Sequence, residues 1–213
     1  MTWQKRILDL VSALFLLIVL GPVILILAAV ILLRDGRPVL YVSERMKAPG
    51  RPFNLYKFRT MTISSANTGV SGGDKAARVT ATGRFLRAKR LDELPQLLNI
   101  LKGDLSFVGP RPPLRMYVER FPVLYARVLK SRPGVTGLAT LVFHRHEEAL
   151  LKPCATAEET DSVYSRRCVP RKAELDLIYA ANQSVCYDLR LMFATVFRSR
   201  RVRSDRSRRR HKM

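Results

Sequence analysis

The sequence predicts a membrane-associated α/β protein that is mainly helical, and three observations support this prediction. A long apolar run lies near the N-terminus, two β-type segments joined by a turn follow it, and helical spacing of apolar residues prevails after them. We expect a re-entrant membrane helix over residues 1–34 and a globular domain over 35–197, with a short β-hairpin and amphipathic interfacial helices. A basic, disordered tail is expected over 198–213.

The apolar run carries no charged residue from Leu10 to Leu33, which exceeds the roughly 20 residues needed to cross a hydrocarbon core. Its length and the absence of a small-residue cleavage site argue against a cleaved signal peptide. Gly21 and Pro22 lie in its middle, and a proline there removes a backbone donor and bends or breaks the helix.

Basic residues flank this run on both sides. They are Lys5 and Arg6 before it, and Arg34, Arg37, Arg45, Lys47 and Arg51 after it. The positive-inside rule is satisfied at both ends if the chain bends at Gly21-Pro22 and returns to the cytoplasmic face. We therefore predict a re-entrant helical hairpin, and a plain spanning helix with a tolerated proline kink is the alternative.

The whole chain is strongly basic. Its 38 Lys and Arg residues against 17 Asp and Glu residues give a formal net charge of +21, which favours nucleic acid, anionic lipid or phosphorylated substrates as partners. The sequence contains no recognised nucleic-acid-binding module, so nucleic acid is not the expected partner. The three cysteines form no disulfide-scaffold pattern and indicate a reducing compartment.

Two segments of the domain, 39–42 and 53–59, are rich in β-branched and aromatic residues and predict a hairpin whose turn spans 48–52. Strand alternation places Lys57 and Arg59 on one face, where both could reach a phosphate. The alternative is a solvated basic face near lipid headgroups. The glycine-rich loop over 64–75 lacks the spacing of a nucleotide-binding P-loop.

The second half of the segment 87–104 predicts a helix whose apolar face is formed by Leu94, Leu97, Leu98 and Leu101. Gly103 is a natural stop just past its end. Asp92 and Glu93 fall at or just before the N-terminus of this helix, where unpaired N–H groups and the helix dipole keep a carboxylate ionised and favour a phosphate nearby. Arg87, Lys89 and Arg90 lie directly upstream, and an acidic cap on an ordinary helix is the alternative.

Four motifs occur in order at 56–61, 91–96, 102–112 and 132–137, with the sequences YKFRTM, LDELPQ, KGDLSFVGPRP and RPGVTG. Together they strongly resemble the bacterial sugar transferase family, the small monotopic phosphoglycosyl transferases that begin polyprenyl-linked glycan assembly. The resemblance covers residues 5–137 and resumes loosely over 175–198.

The resemblance implies an Asp-Glu catalytic dyad at Asp92 and Glu93, with magnesium close to Asp92. Asp92 would attack the β-phosphate of a UDP-sugar, release UMP and hold the sugar phosphate as an acyl phosphate. A polyprenyl phosphate such as undecaprenyl phosphate would then accept it. Phosphate- and uridine-binding positions of the family would fall on Lys57, Arg87 and Arg111.

The same resemblance implies a setting for the reaction. It places the protein in the bacterial cytoplasmic membrane with its catalytic domain facing the cytoplasm. The reaction would be the first membrane step of exopolysaccharide, O-antigen, capsule or glycoprotein glycan synthesis. The partners expected are a UDP-sugar, polyprenyl phosphate and anionic lipid, and a homodimer is compatible with the sequence. A non-enzymatic basic membrane adaptor is the alternative function.

The family pattern departs after Gly137, where many relatives have a Trp-Ala-Gln run, so the identity of the sugar stays open. The segment 144–148 carries two glutamates that could contact the sugar or cap a helix. His144, His146, Cys154 and Cys168 lack the regular spacing of a zinc site, and unrelated roles are favoured. Further helices are predicted over 114–130, 172–181 and 187–197.

Overall fold

A computed structural model describes residues 2–63, 73–195 and 197. The predicted basic tail over 198–213 and most of the predicted glycine-rich loop lie outside these residues. Within them the protein is mainly helical, with two short two-stranded sheets. The mainly helical α/β class predicted from the sequence is therefore confirmed.

Helix α1, Trp3–Asp35, is a single uninterrupted helix that contains Pro22. It is the one helix among the described residues that is long and apolar enough to cross a membrane. Thr2 caps its first turn by accepting a hydrogen bond from the Lys5 amide. The structure contains no turn or loop at Gly21-Pro22, so the re-entrant path stays a prediction.

Strands β1, Leu40–Ala48, and β2, Arg51–Phe58, form the predicted antiparallel hairpin. Gly50 lies at the turn with φ of 69°, a left-handed conformation that suits glycine. The pairing is interrupted between Met46 and Ala48, close to the turn. The first strand is longer than predicted, because its polar residues after Val42 also pair with β2.

Helix α2, Ala81–Lys89, is followed by a 3₁₀ turn, Leu91–Glu93, and by helix α3, Gln96–Lys102. Gly103 ends α3 in a left-handed conformation, as predicted, and Pro95 occupies the cap position at its start. The predicted helix is confirmed, and Asp92 and Glu93 lie in the turn just before it.

The third and fourth strands, β3 (Ser106–Val108) and β4 (Gly134–Thr136), form a short parallel pair. Two helices lie between them in the chain: α4, Arg115–Arg120, and α5, Pro122–Val128. The prediction of one helix over 114–130 is wrong at this point. Pro122 cannot continue a preceding helix, so the chain breaks at Phe121 and a new helix begins.

The C-terminal part contains α6, Leu138–Leu151, α7, Ala157–Val163, a π-helical turn, Tyr164–Cys168, and α8, Val169–Ala181. A ninth helix, α9, covers 185–195. These two last helices confirm the predictions near 172–181 and 187–197. The largest buried apolar cluster joins α4, α5, α6 and α8, and a second one joins α1, β2 and α3.

Candidate active site

The acidic pair Asp92-Glu93 is presented by the 3₁₀ turn between α2 and α3. Arg90 ends α2 in a left-handed conformation with φ of 56°. The amide of Leu94 then donates to the carbonyl of Leu91 and closes the turn. The two carboxylates are therefore held on a compact turn between two helices.

Glu93 is the fixed member of the pair. Its Oε1 atom accepts hydrogen bonds from Lys57 Nζ at 3.0 Å and from Arg111 Nη2 at 3.1 Å, and its side chain is 10% exposed. Burial alone would raise the pKa of Glu93, but Arg111, Lys57 and Arg90 together hold that pKa well below its usual range. Glu93 therefore stays ionised and joins the hairpin to the segment that carries Arg111.

Asp92 is the open member of the pair. Within the described part of the chain its carboxylate forms no ion pair and no hydrogen bond to another residue's side chain. Burial raises the pKa of Asp92, with Glu93 adding to the effect, although Lys57 and Arg87 oppose it. The prediction that a helix terminus and nearby cations lower this pKa is wrong in direction, because removal from water outweighs them.

Lys57 and Arg87 lie close enough to Asp92 to lower its pKa. Burial lowers the pKa of Lys57 although Glu93 opposes that shift. The Arg87 guanidinium donates from Nε to Thr60 Oγ1 at 2.9 Å, which anchors it to the chain just after β2. The structure thus brings Lys57, Arg87 and the acidic pair together, as the sequence predicts.

Arg111 reaches Glu93 from a segment that is clamped against β4. The amide of Gly134 donates to Pro110 O at 2.8 Å, and the amide of Gly109 donates to Thr136 O at 2.9 Å. A Cβ atom on Gly109 or Gly134 would overlap the facing backbone, so only glycine permits this approach. The glycines of two motifs thereby fix the backbone that presents Arg111.

Arg59 does not join this group of residues. Its guanidinium is buried and donates to the carbonyl oxygens of Asp35, Gly36 (2.7 Å) and Arg37 (3.3 Å) at the C-terminal end of α1. The predicted role in phosphate binding is therefore corrected to a structural one. The unpaired carbonyls at the end of a helix are strong acceptors, and Arg59 is the donor that satisfies them here.

Several charged residues that act on Arg111 were not identified as site residues from the sequence. Lys172 Nζ donates to both carboxylate oxygens of Glu147, at 2.9 and 3.1 Å, and to Tyr164 Oη at 3.2 Å. Glu147 thus lies inside α6 and forms an ion pair with Lys172, so it does not cap a helix. The charge of Arg111 also acts on Arg45, His144 and Lys172. No local pattern signals these contacts, because they join segments far apart in the chain.

The site thus combines one open carboxylate, one fixed carboxylate, and cations from three segments: β2, α2 and the segment after β3. The chain belongs to the bacterial sugar transferase family, whose pattern matches residues 1–201, and it is accordingly a transferase.

Three relatives illustrate the similarity. The uncharacterized sugar transferase EpsL of Bacillus subtilis is 39% identical over 194 residues, which are 90% of this chain and 85% of that protein. A UDP-glucose:undecaprenyl-phosphate glucose-1-phosphate transferase of Klebsiella pneumoniae is 34% identical over 91% of this chain and 39% of its own length. A UDP-N-acetylgalactosamine-undecaprenyl-phosphate N-acetylgalactosaminephosphotransferase of Aeromonas hydrophila is 34% identical over 90% of this chain and 42% of its own length. The chain thus spans about two fifths of the latter two proteins.

Proposed function

We propose that this protein transfers a sugar 1-phosphate from a UDP-sugar to a polyprenyl phosphate such as undecaprenyl phosphate, and releases UMP. The observation that carries the proposal is the contrast within the acidic pair: Glu93 is locked between two cations, whereas Asp92 is open beside Lys57 and Arg87. The names of the relatives from Klebsiella and Aeromonas support the same substrate classes.

Asp92 acts as the nucleophile in the first half of the reaction. One of its carboxylate oxygens attacks the β-phosphorus of the UDP-sugar, the bond from that phosphorus to the bridging oxygen breaks, and UMP leaves with the bonding electrons. Lys57, Arg87 and Arg111 counter the negative charge of the diphosphate that would otherwise repel the carboxylate.

The second half of the reaction returns Asp92 to its starting state. An oxygen of the polyprenyl phosphate attacks the phosphorus of the aspartyl-phosphosugar, and the Asp92 carboxylate departs free. Glu93 keeps Lys57 and Arg111 in place during both halves, because its Oε1 atom binds both. It is a positioning residue in this proposal.

The residues present fit a magnesium ion that is shared with substrate. Mg²⁺ in phosphate-transfer sites is bound by one or two carboxylates together with substrate phosphates and water, and Asp92 offers one unpaired carboxylate. Among the described residues, no three His, Cys, Asp or Glu side chains are placed to form an all-protein cage. Asp92 is the residue we propose to hold the ion, which when bound would neutralise charge on the diphosphate.

The contacts of α1 support a re-entrant path, with both of its ends on the cytoplasmic face of the inner membrane. Near its start, Lys5 binds Asp188 of α9, and Arg6 donates to the carbonyls of Ile100 and Leu101 at 2.7 and 2.9 Å. At its end, Asp35 accepts hydrogen bonds from Arg59 and Thr80. The same domain therefore contacts both ends of α1, and this supports our proposal that both ends lie on one side of the membrane.

The direct test is UMP release by the purified protein in detergent, with Mg²⁺, polyprenyl phosphate and a panel of UDP-sugars. We expect UMP release that depends on the lipid phosphate, and the active sugar identifies the donor. The Asp92→Asn variant should lose at least about 10³-fold in rate because an amide cannot serve as the nucleophile.

The matched control is Glu119→Gln, which also converts a carboxylate to an amide but at an exposed position on α4. It should keep the wild-type rate. Near-normal turnover by Asp92→Asn would remove this residue as the nucleophile. The alternative function is a basic membrane adaptor. It predicts that no UDP-sugar yields UMP and that Asp92→Asn leaves binding to membranes unchanged.

A further inference from the structure

Arg45 is a partly buried arginine whose guanidinium has no partner among the described residues. Its Nε atom is shielded from solvent and has no hydrogen-bond acceptor, and the side chain takes part in no ion pair in that part of the chain. An uncompensated buried cation costs free energy. A position of this kind needs an explanation, and a bound anion supplies one.

The hairpin register directs Arg45 to the same side as Lys57. Arg45 pairs with Phe53, and Tyr41 pairs with Lys57, so Arg45 and Lys57 belong to the same set of alternating residues. Cross-strand pairs share one face of a sheet, and this face carries the buried residues Phe53 and Leu55. Both cations therefore project from the inner face of the hairpin.

A backbone contact brings Arg45 to Arg111. The amide of Met46, the next residue, donates to Pro113 O at 3.0 Å, two residues after Arg111. The pKa of Arg45 also reflects the charge of Arg111. Burial lowers this pKa most, repulsion by Arg111 lowers it further, and together they bring it to about 10. The two arginines therefore come from neighbouring segments and act on each other through their charges, and Glu93 binds only Arg111.

Arg111 retains donors for a further ligand. A guanidinium carries five N–H groups, and Arg111 uses one nitrogen, Nη2, to bind Glu93. Glu147, the next carboxylate that acts on Arg111, is itself bound by Lys172. Two neighbouring arginines with free N–H donors are suited to the oxygens of a phosphate, which arginine binds in a forked geometry.

We propose that Arg45 and Arg111 together bind a phosphate group of a substrate, which adds Arg45 to the binding residues of the site. The assignment to a substrate rests on the proposed transferase function. The phosphate belongs either to the diphosphate of the UDP-sugar or to the polyprenyl phosphate, and both offer the same chemistry to the two guanidinium groups.

The first experiment needs no turnover. The thermal unfolding midpoint of the detergent-solubilised full-length chain is measured with and without inorganic diphosphate, for wild type, Arg45→Met and Arg51→Met. Arg51→Met is the matched control, because it removes the same charge from an exposed position on the same hairpin. We expect wild type and Arg51→Met to be stabilised equally, and Arg45→Met to lose most of the upshift.

A full upshift in Arg45→Met, or none in wild type, overturns the proposal. Circular dichroism checks that Arg45→Met is folded. If Arg45→Met is not folded, Arg45→Lys is used instead, because lysine keeps the positive charge but lacks the two-nitrogen geometry of a guanidinium. An upshift in Arg45→Lys equal to that of wild type at every diphosphate concentration then overturns the forked contact. Because this assay requires no sugar transfer, its outcome is separate from that of the UMP-release test.

Steady-state kinetics then distinguish the two sources of phosphate. We expect Arg45→Met to raise the KM for one substrate about tenfold, the effect of losing a charge-assisted hydrogen bond, while Arg51→Met raises neither. A rise confined to the UDP-sugar assigns the subsite to the nucleotide, and a rise confined to the polyprenyl phosphate assigns it to the acceptor. Unchanged KM values for both overturn the role in substrate binding.

Discussion

Asp92 and Glu93 are chemically similar neighbours, yet their surroundings separate their behaviour. Glu93 is surrounded by Lys57, Arg90 and Arg111, which favour its charged form, whereas Asp92 loses more from burial than it gains from Lys57 and Arg87. Environments that push the pKa values of two carboxyl groups apart assign different roles to them. Here the low-pKa group organises cations, and the open group is available for chemistry.

The raised pKa of Asp92 predicts where activity fails in acid. A carboxylate nucleophile must be ionised, so the first half-reaction should be lost as the pH falls through the pKa of Asp92. We expect the acid inflection of kcat/KM for the UDP-sugar to lie above the ordinary aspartate value of 3.8. Pre-steady-state UMP release without acceptor lipid measures it free of the titration of the lipid phosphate.

Glu93→Gln provides the complementary test of that inflection. It removes a negative charge that raises the pKa of Asp92, and it frees Lys57 and Arg111 to act on Asp92, so the inflection should shift to lower pH. The exposed Glu119→Gln variant should leave it in place. A wild-type inflection at or below 3.8, or an upward shift in Glu93→Gln, would contradict this account of the electrostatics.

At the scale of elements, Asn99 joins the two parts of the site. It is fully buried in α3, its Oδ1 accepts from the Tyr56 amide at 3.0 Å, and its Nδ2 donates to Asn54 O at 2.7 Å. These bonds tie α3, and with it the turn that carries the acidic pair, to the strand that carries Lys57. One side chain thus sets the spacing between two motifs.

Asn99→Ala should therefore destabilise the fold by about 3 kcal/mol, because it removes both hydrogen bonds of a fully buried side chain and leaves the Tyr56 N–H and the Asn54 C=O without these partners. Chemical denaturation in detergent measures the change in the free energy of unfolding. Asn182→Ala, at the exposed end of α8, is the control and should cost under about 1 kcal/mol. A loss for Asn99→Ala as small as that of the control would show that the two bonds do not hold these elements together.

At the scale of the whole molecule, α1 is part of the fold as well as an apolar segment. Along its length Ala13 and Ile31 are fully buried against the domain, while Val11, Phe15 and Ile26 are exposed. One side of the helix thus packs on the domain, and the other side presents apolar residues. The re-entrant path proposed above would place this exposed side in contact with lipid.

Cysteine labelling in intact cells tests this topology. A Thr2→Cys variant and the exposed native Cys186, which marks the side of the domain, should both resist a membrane-impermeant maleimide until the cells are permeabilised. Cys186→Ser gives the background for the variant, since Cys154 and Cys168 are buried. Labelling of Thr2→Cys from outside while Cys186 stays protected would establish a spanning helix in place of the re-entrant one.

Local patterns in the sequence were sufficient for much of the fold. The apolar run, the turn at Gly50 and the stop at Gly103 follow from the hydropathy and backbone freedom of the residues themselves, and all three are found. The same holds for the position of Asp92 and Glu93 just before α3. The break at Pro122 was also available locally, and the prediction of one helix overlooked it.

By itself, the sequence determined the elements, the order of the motifs and the acidic pair, because these depend on neighbouring residues. The tertiary structure alone decided which carboxylate is open, that Arg59 binds the end of α1, and that the segment of Arg45 contacts the segment of Arg111. Lys57 and Glu93 are 36 positions apart, and Lys5 and Asp188 are 183 apart. The pKa of a carboxyl group and the partner of an arginine depend on such distant contacts and on burial, which no local spacing records.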